Sequence, residues 1–283
     1  MRPSSTSAGA SPRRLLGLVV IQAGQGFVVR RWLLLPVAFA LFTFYTESDT
    51  AFDYARQAPI EINLWDLLPS MLAHQKITLW AYALGFAFLT GDGLTRARTS
   101  GAATMTLIRA PSRTMWWASR SAAMGLQAAC FVAASTAVVL LIGALKHPLS
   151  LDPSPGAQAL APEAMLYPRP ISWPMPLLTL AIAARATLGL WLLGCLLEAV
   201  ALVSWRPLAP FLFLIIWIFA SLEALPGISR EGPTHWLDLS HLISYTVHLE
   251  PTPLPVGTFL LGWLAAMSAL VFLGAWRLRH LDL

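Results

Sequence analysis

The side chains able to do chemistry in this chain are few, and most lie in or beside apolar runs. Arg185 and Glu198 interrupt the stretch Leu177–Val203. A charge at membrane depth is costly, so each is a functional candidate by default. Arg185 stands nearer the outer end of that stretch and can snorkel outward, pair with Glu223 or face a substrate path. Glu198 stands near the other end and can pair with Arg206 or with the arginines of Gly91–Ser121. Structural pairing is the better expectation for both. His235, Asp238, His241 and His248 form the best metal-type set, with imidazole and carboxylate ligands that suit zinc. On a helix, His241 and His248 share a face with Asp238 beside them. No closely spaced H-x-x-x-H pair accompanies them, so a polar helix face is expected there and no metal site. His74 and Lys76 can close the outer end of a pathway, although ordinary interfacial placement is expected. The chain has no H-E-x-x-H, G-x-S-x-G or C-x-x-C. Its two lysines, Lys76 and Lys146, follow Gln75 and Leu145, so neither can belong to a phosphate-binding G-x-x-x-x-G-K-[ST] loop. Cys130 and Cys195 sit within apolar runs and give no disulfide framework. No catalytic residue and no cofactor site is expected in this chain.

The elements that must position these residues are membrane helices. Of 283 residues, 57 % are hydrophobic and only 12 % charged, against roughly 25 % charged in a soluble chain. Mean hydropathy is +0.63. Six apolar runs approach the roughly 20 residues a spanning helix needs: Trp32–Thr46, Leu67–Thr90, Ala122–Leu145, Leu177–Val203, Leu208–Leu225 and Pro255–Trp276. The expected fold is an all-α polytopic membrane protein, one domain with six transmembrane helices. Residues 1–31 form an N-terminal arm with an interfacial amphipathic helix over Leu15–Val29. Residues 32–276 form the six-helix region, and 277–283 a short tail. The eight prolines of His147–Pro176 predict an irregular outer loop. The outer loop Pro226–Leu254 predicts one or two short amphipathic helices.

Charge orients the chain. The N-terminal arm, the loop 91–121, the turn Ser204–Pro207 and the tail hold thirteen of the nineteen basic residues, and their acids are only Asp92 and Asp282. Eleven acids fall in the opposite loops. The positive-inside rule places both termini in the cytoplasm, in an inner membrane. The net charge of +5 therefore reads as loops facing anionic lipid, with no nucleic-acid partner. Trp116, Trp117, Trp173, Trp205 and Trp276 stand near helix ends, where an interfacial belt is expected.

The segment Gly91–Arg120 is more specific: a Gly-Asp at a helix exit, an arginine-rich patch, Gly101, an amphipathic run, then Arg109-Ala110-Pro111-Ser112-Arg113 and a tryptophan pair. It resembles the loop between the second and third helices of type-2 ABC transporter permeases. In that family a Glu-Arg-x-x-Gly-Thr pattern is followed by a short helix and a Pro-x-Ser-Arg element. Arg98, Gly101, Pro111, Ser112 and Arg113 fall at matching positions. Ala97 stands where the family often has Glu, and Ala102 where it often has Thr. The layout of interfacial helix, six spans and a short turn between spans four and five is also similar.

The resemblance implies a permease subunit of an ATP-driven exporter. Its coupling loop would dock on a separate ABC ATPase through Arg98, Gly101, Arg109, Pro111, Ser112 and Arg113. ATP and Mg would sit on that partner, and a second permease copy would complete the pathway. Taken alone, Ala102–Ile108 can lie flat and dock into a partner's groove, or the arginines can simply anchor the loop to headgroups. Pro111 makes it doubtful that Arg109 and Arg113 share one helix face. Two competing readings are an intramembrane enzyme and a non-transporting assembly or immunity protein.

Overall fold

A computed structural model describes residues 12–47, 62–73, 75–152, 174–204, 206–222, 239–244 and 256–280. Among them every regular element is helical and no strand occurs. In an apolar solvent a helix satisfies all of its own backbone groups, which makes it the natural element for so hydrophobic a chain.

Among the described residues three helices are long and apolar enough to cross a membrane, or four if a bent pair near the N-terminus forms one span. The bent pair is α1 (Pro12–Gly26) with α2 (Val29–Trp32) and α3 (Leu34–Glu47), meeting at 68°. Phe27 and Val28 form the elbow. α3 has 14 residues, about 21 Å of helix, against roughly 30 Å of hydrocarbon.

Next come a 3₁₀ turn at Leu64–Asp66, then α4 (Leu67–Ala73), α5 (Gln75–Ile77), a π-helical stretch Thr78–Leu84, and α6 (Gly85–Thr90). The second predicted span is therefore continuous only in part. The π stretch is a wider coil, and at its start the Thr78 hydroxyl donates back to the Leu72 carbonyl of α4 at 2.8 Å. Lys76 is exposed, and the side chain of His74 lies outside the described residues. This segment is also the most enclosed part of the chain, with Leu67, Leu68, Met71, Leu79, Tyr82, Ala83, Phe86 and Ala87 all 0 % exposed. Phe131 meets Phe39, Tyr82 and Phe86 at ring separations of 5.6, 6.1 and 5.6 Å. These edge and tilted contacts make a central aromatic cluster.

α7 (Gly93–Thr99) and α8 (Ala102–Arg109) form a corner before the long α9 (Arg113–Gly143). α10 (Met175–Ser204), α11 (Ala209–Leu222), α12 (Leu239–Ile243) and α13 (Val256–Arg279) complete the order. α9 packs along α1, α3, α10 and α13, and α10 along α11, α12 and α13. More than half of the α10 apolar window is buried (56 %) but only 17 % of that in α13, so α10 lies inside and α13 at the rim.

α1 packs its glutamine side on α9: Gln22 is 3 % exposed there, while Leu16 and Val20 are exposed. The reason is hydrogen bonding, because Gln22 accepts from the Ser119 hydroxyl at 3.2 Å and reaches the Trp116 carbonyl at 3.5 Å. Trp116 and Trp117 are 3 % and 1 % exposed and so leave the predicted interfacial belt. Their indole N–H groups find partners inside the protein, Thr106 Oγ1 at 2.9 Å and the Leu270 carbonyl at 3.3 Å. Trp276 remains exposed, and Trp173 and Trp205 lie outside the described residues. A short helix does fall within Pro226–Leu254, as expected: α12 lies against the middle of α10, where the Leu242 carbonyl abuts Gly189. Leu239 and Ile243 are fully buried there, and the Leu239 N–H donates to Ser221 Oγ at 3.0 Å.

A candidate docking loop above a buried ion pair

The segment 91–121 folds as a helical corner, and each turn of it has a local cause. Gly101 ends α7 with φ 74°, a left-handed conformation that glycine adopts without steric cost. Its N–H donates to the Arg98 carbonyl at 3.0 Å, and its own carbonyl accepts the first bond of α8, from Met105 at 3.1 Å. One glycine thus ends one helix and starts the next. Pro111 follows α8, and Ala110 is extended (ψ 134°), as a residue before proline prefers. Ser112 caps α9 by accepting from the Met115 N–H at 3.1 Å. Arg109 and Arg113 therefore sit on separate helices.

The six predicted loop residues do not converge on one point. Gly101 and Ser112 shape the backbone. Pro111 is exposed beside the break. Arg98 is half-buried on α7; desolvation lowers its pKa, without consequence near neutrality because arginine stays protonated. Arg113 turns toward the end of α13 and donates to the Leu278 carbonyl at 2.7 Å. Arg109 alone points outward, alongside Met105 at 63 % and Ile108 at 75 % exposure. The inner face of α8 is held by Ala103 and Thr106, both buried, and Thr106 accepts from the Trp116 indole. α8 thus presents two apolar side chains and one cation on a corner that is packed from beneath.

The two departures from the resemblance have a physical account. Ala97 is 4 % exposed and packs with Leu94, Ala103, Trp116, Trp117, Ala201, Leu202, Ala275 and Leu278, with Ala102 against the same cluster. A glutamate in that apolar cluster would be buried without a paired charge, which is costly.

Two further residues anchor the corner. Asp92 accepts both guanidinium arms of Arg31 at 2.9 Å, and Arg96 approaches it at 2.9 Å. Arg31 also donates to the Phe88 carbonyl at 2.9 Å. The signal was present in sequence as an acid standing among five arginines. Arg120, one of the arginines of Gly91–Ser121 expected as possible partners for Glu198, stands on α9 and pairs with Glu198 of α10 at 2.6 Å. Glu198 therefore finds its partner in the arginine-rich segment and not in Arg206, which is exposed. The pair lines a cavity of about 10 Å³ to a water-sized sphere with Gln22, Gln25, Thr90, Gly93 and Gln127. Arg185 is buried on α10, with its guanidinium over the Phe259 ring. At 6 % exposure it does not snorkel outward.

These contacts bring the elbow after α1, the exit of α6, the start of α9 and the end of α13 to one end of the bundle. At the other end, Glu47 of α3 pairs with Lys146 and His147 after α9. Asn63 Nδ2 donates to the Ser150 carbonyl at 2.8 Å there. Of the histidine set, His235, Asp238 and His248 lie outside the described residues, as does the His241 side chain.

The fold defines a membrane-embedded, all-helical protein. A family model described as a protein of unknown function (DUF2705) matches residues 33–167. That stretch includes the whole segment 91–121. No curated protein and no solved structure matches the chain.

Proposed function

We propose that this chain is the membrane-spanning permease subunit of an ATP-driven ABC exporter in an inner membrane. α8 is the element that meets a separate ATPase. In this reading α3, the α4–α6 segment, α9, α10, α11 and α13 are the six spans. Both termini and the loop 91–121 face the cytoplasm, and α1 lies at that interface. A second permease copy faces the first across the pathway, and ATP and Mg stay on the ATPase.

One observation carries the reading. α8 exposes Met105, Ile108 and Arg109 while its other face is pinned to α9 through Thr106 and Trp116. An apolar pair beside a cation suits insertion into a groove on a folded partner. Headgroup anchoring alone does not call for a helix braced from beneath. Neither competing reading has an equal observation behind it. The intramembrane acid an enzyme would use, Glu198, is engaged by Arg120.

The test is purification of the tagged chain from its own host in mild detergent. An ATPase carrying a G-x-x-x-x-G-K-[ST] loop should co-purify in defined stoichiometry. A chain that purifies alone, with its fold intact, would overturn the reading.

A further inference from the structure

The described core is dominated by aliphatic and aromatic side chains, but the junction of α1, α7, α9 and α10 is ionic. Arg120 and Glu198 meet there at 2.6 Å with 6 % and 2 % of their side chains exposed. The attraction between two buried charges roughly repays their desolvation, so such a pair is weak as a source of net stability and better suited to fixing register. The neighbouring contacts show which elements it registers. Gly93, the first residue of α7, lies directly over the pair: a β-carbon there would stand 3.3 Å from Arg120 Nη2 and 3.9 Å from Glu198 Oε1. Gln127 of α9 donates to the Ala23 carbonyl of α1 at 3.0 Å, and Ser119 donates to Gln22 at 3.2 Å. Gly26 also abuts the Gln127 amide so closely that a side chain there would displace it. α1 is therefore fixed to the same stretch of α9 that carries Arg120.

We propose that the Arg120–Glu198 pair is a positioning joint that seats the first turn of the docking loop on α10. A shift of α7 then displaces α10 against α9, and the reverse. The joint has a second state within reach. Arg120 Nε makes no hydrogen bond among the described residues, and Arg120 and Glu198 both line the cavity, which admits about one water molecule. A water there can replace one contact of the pair as it opens. Its use in ATP-driven motion rests on the permease reading; its geometry does not.

The experiment is hydrogen–deuterium exchange on the full chain in nanodiscs with no ATPase present. Glu198→Gln removes one charge and keeps the shape, Arg120→Gln removes the other in a shorter side chain, and R120E/E198R restores the pair in reverse order. Both single variants should raise exchange across 93–99 by about tenfold, and the double variant should return it toward the starting rate. Exchange around Ala144–His147 at the far end serves as the control and should not change. Unchanged exchange across 93–99 in a folded Glu198→Gln chain would overturn the joint, as would a reversed pair that fails to restore it. Should the charge variants not fold, Gly93→Val leaves both charges in place and crowds the contact. It should loosen 93–99 alone; loosening spread over the whole chain would count against the joint. Local loosening in a chain that binds no ATPase upholds the joint and sinks the permease reading. Loss of ATPase binding with exchange unchanged does the opposite.

Discussion

Arg113 donates from Nη1 to the backbone carbonyl of Leu278 at 2.7 Å, across 165 residues of sequence. This bond joins the first residue of α9 to the last turn of α13, where carbonyls have no intrahelical donor. Arg113 therefore caps a helix and holds the rim helix onto the α7–α8 corner. Leu278, fully buried among Leu94, Ala97 and Trp117, completes the attachment. Arg113→Ala should cost about 1–2 kcal/mol, the range for a partly buried hydrogen bond to a charged donor. The expected result is a thermal midpoint lower by a few degrees and faster proteolysis of the C-terminal end. Arg109→Ala, at an exposed position, should leave both unchanged. Equal effects from the two variants would show that Arg113 does not cap α13.

Gly101 gives a sharper backbone test. With φ 74° and open space around its α-carbon, it is constrained by conformation and not by packing. Gly101→Ala should destabilise the corner by about 1 kcal/mol and Gly101→Val by more, because a β-branched residue resists a positive φ. Gly101→Asn should come closest to wild type, since asparagine tolerates the left-handed region. Tryptic cleavage after Arg98 and Arg109 under native conditions reads this directly. Cleavage should accelerate in the order Asn, Ala, Val. A flat series would mean that the corner does not depend on the left-handed residue.

Much of this fold was legible before any coordinates, and the exceptions share a cause. Long uncharged runs such as Ala122–Leu145 announced α9, but its true start at Arg113 did not show. Arg113, Arg120 and Trp117 look like surface and interface residues until their partners 78 to 165 residues away are known. The second span read as weak because Lys76 lowers its hydropathy, yet its burial depends on what surrounds it and not on its own apolarity. Gly101, Pro111 and Ser112 could be read locally because turn and cap chemistry is local. Glu198 could be read only as far as a structural pair with Arg206 or the segment Gly91–Ser121, and the partner of Asp92 not at all, because an acid carries no mark of which of several arginines it will meet. The packing of Gln22 on α9 is hidden from the sequence for the same reason: its desolvation is offset by Ser119 and Trp116, both about a hundred residues on.

Close packing at the rim helix yields a different prediction. Gly274 of α13 abuts the Trp117 indole, so that a β-carbon would overlap the ring. Trp117 is 1 % exposed and tethered to the Leu270 carbonyl one turn away at 3.3 Å, so the ring cannot swing aside freely. Gly274→Ala should destabilise the chain by about 1–3 kcal/mol, the usual penalty for overpacking. Gly274→Ala with Trp117→Phe should recover part of that loss, because the smaller ring leaves room for the methyl group. Thermal unfolding of the three variants in one detergent measures both steps. Additive losses in the double variant would show that the two residues do not share the contact.

The outward face of α8 separates docking from folding most cleanly. Met105 and Ile108 are 63 % and 75 % exposed, so Met105→Glu and Ile108→Glu should leave expression, helicity and thermal midpoint within error of wild type. Burying either side chain in a partner's groove is worth about 1.5–3 kcal/mol. Each substitution should therefore weaken ATPase binding by at least about tenfold, and Arg109→Glu should add a salt-dependent loss. Thr104→Glu, on the same short helix and also exposed, sets the baseline for added charge. If Thr104→Glu weakens ATPase binding as much as Ile108→Glu does, the loss comes from charge near the membrane. If Ile108→Glu alone abolishes binding in a folded chain, α8 enters the partner through its apolar edge.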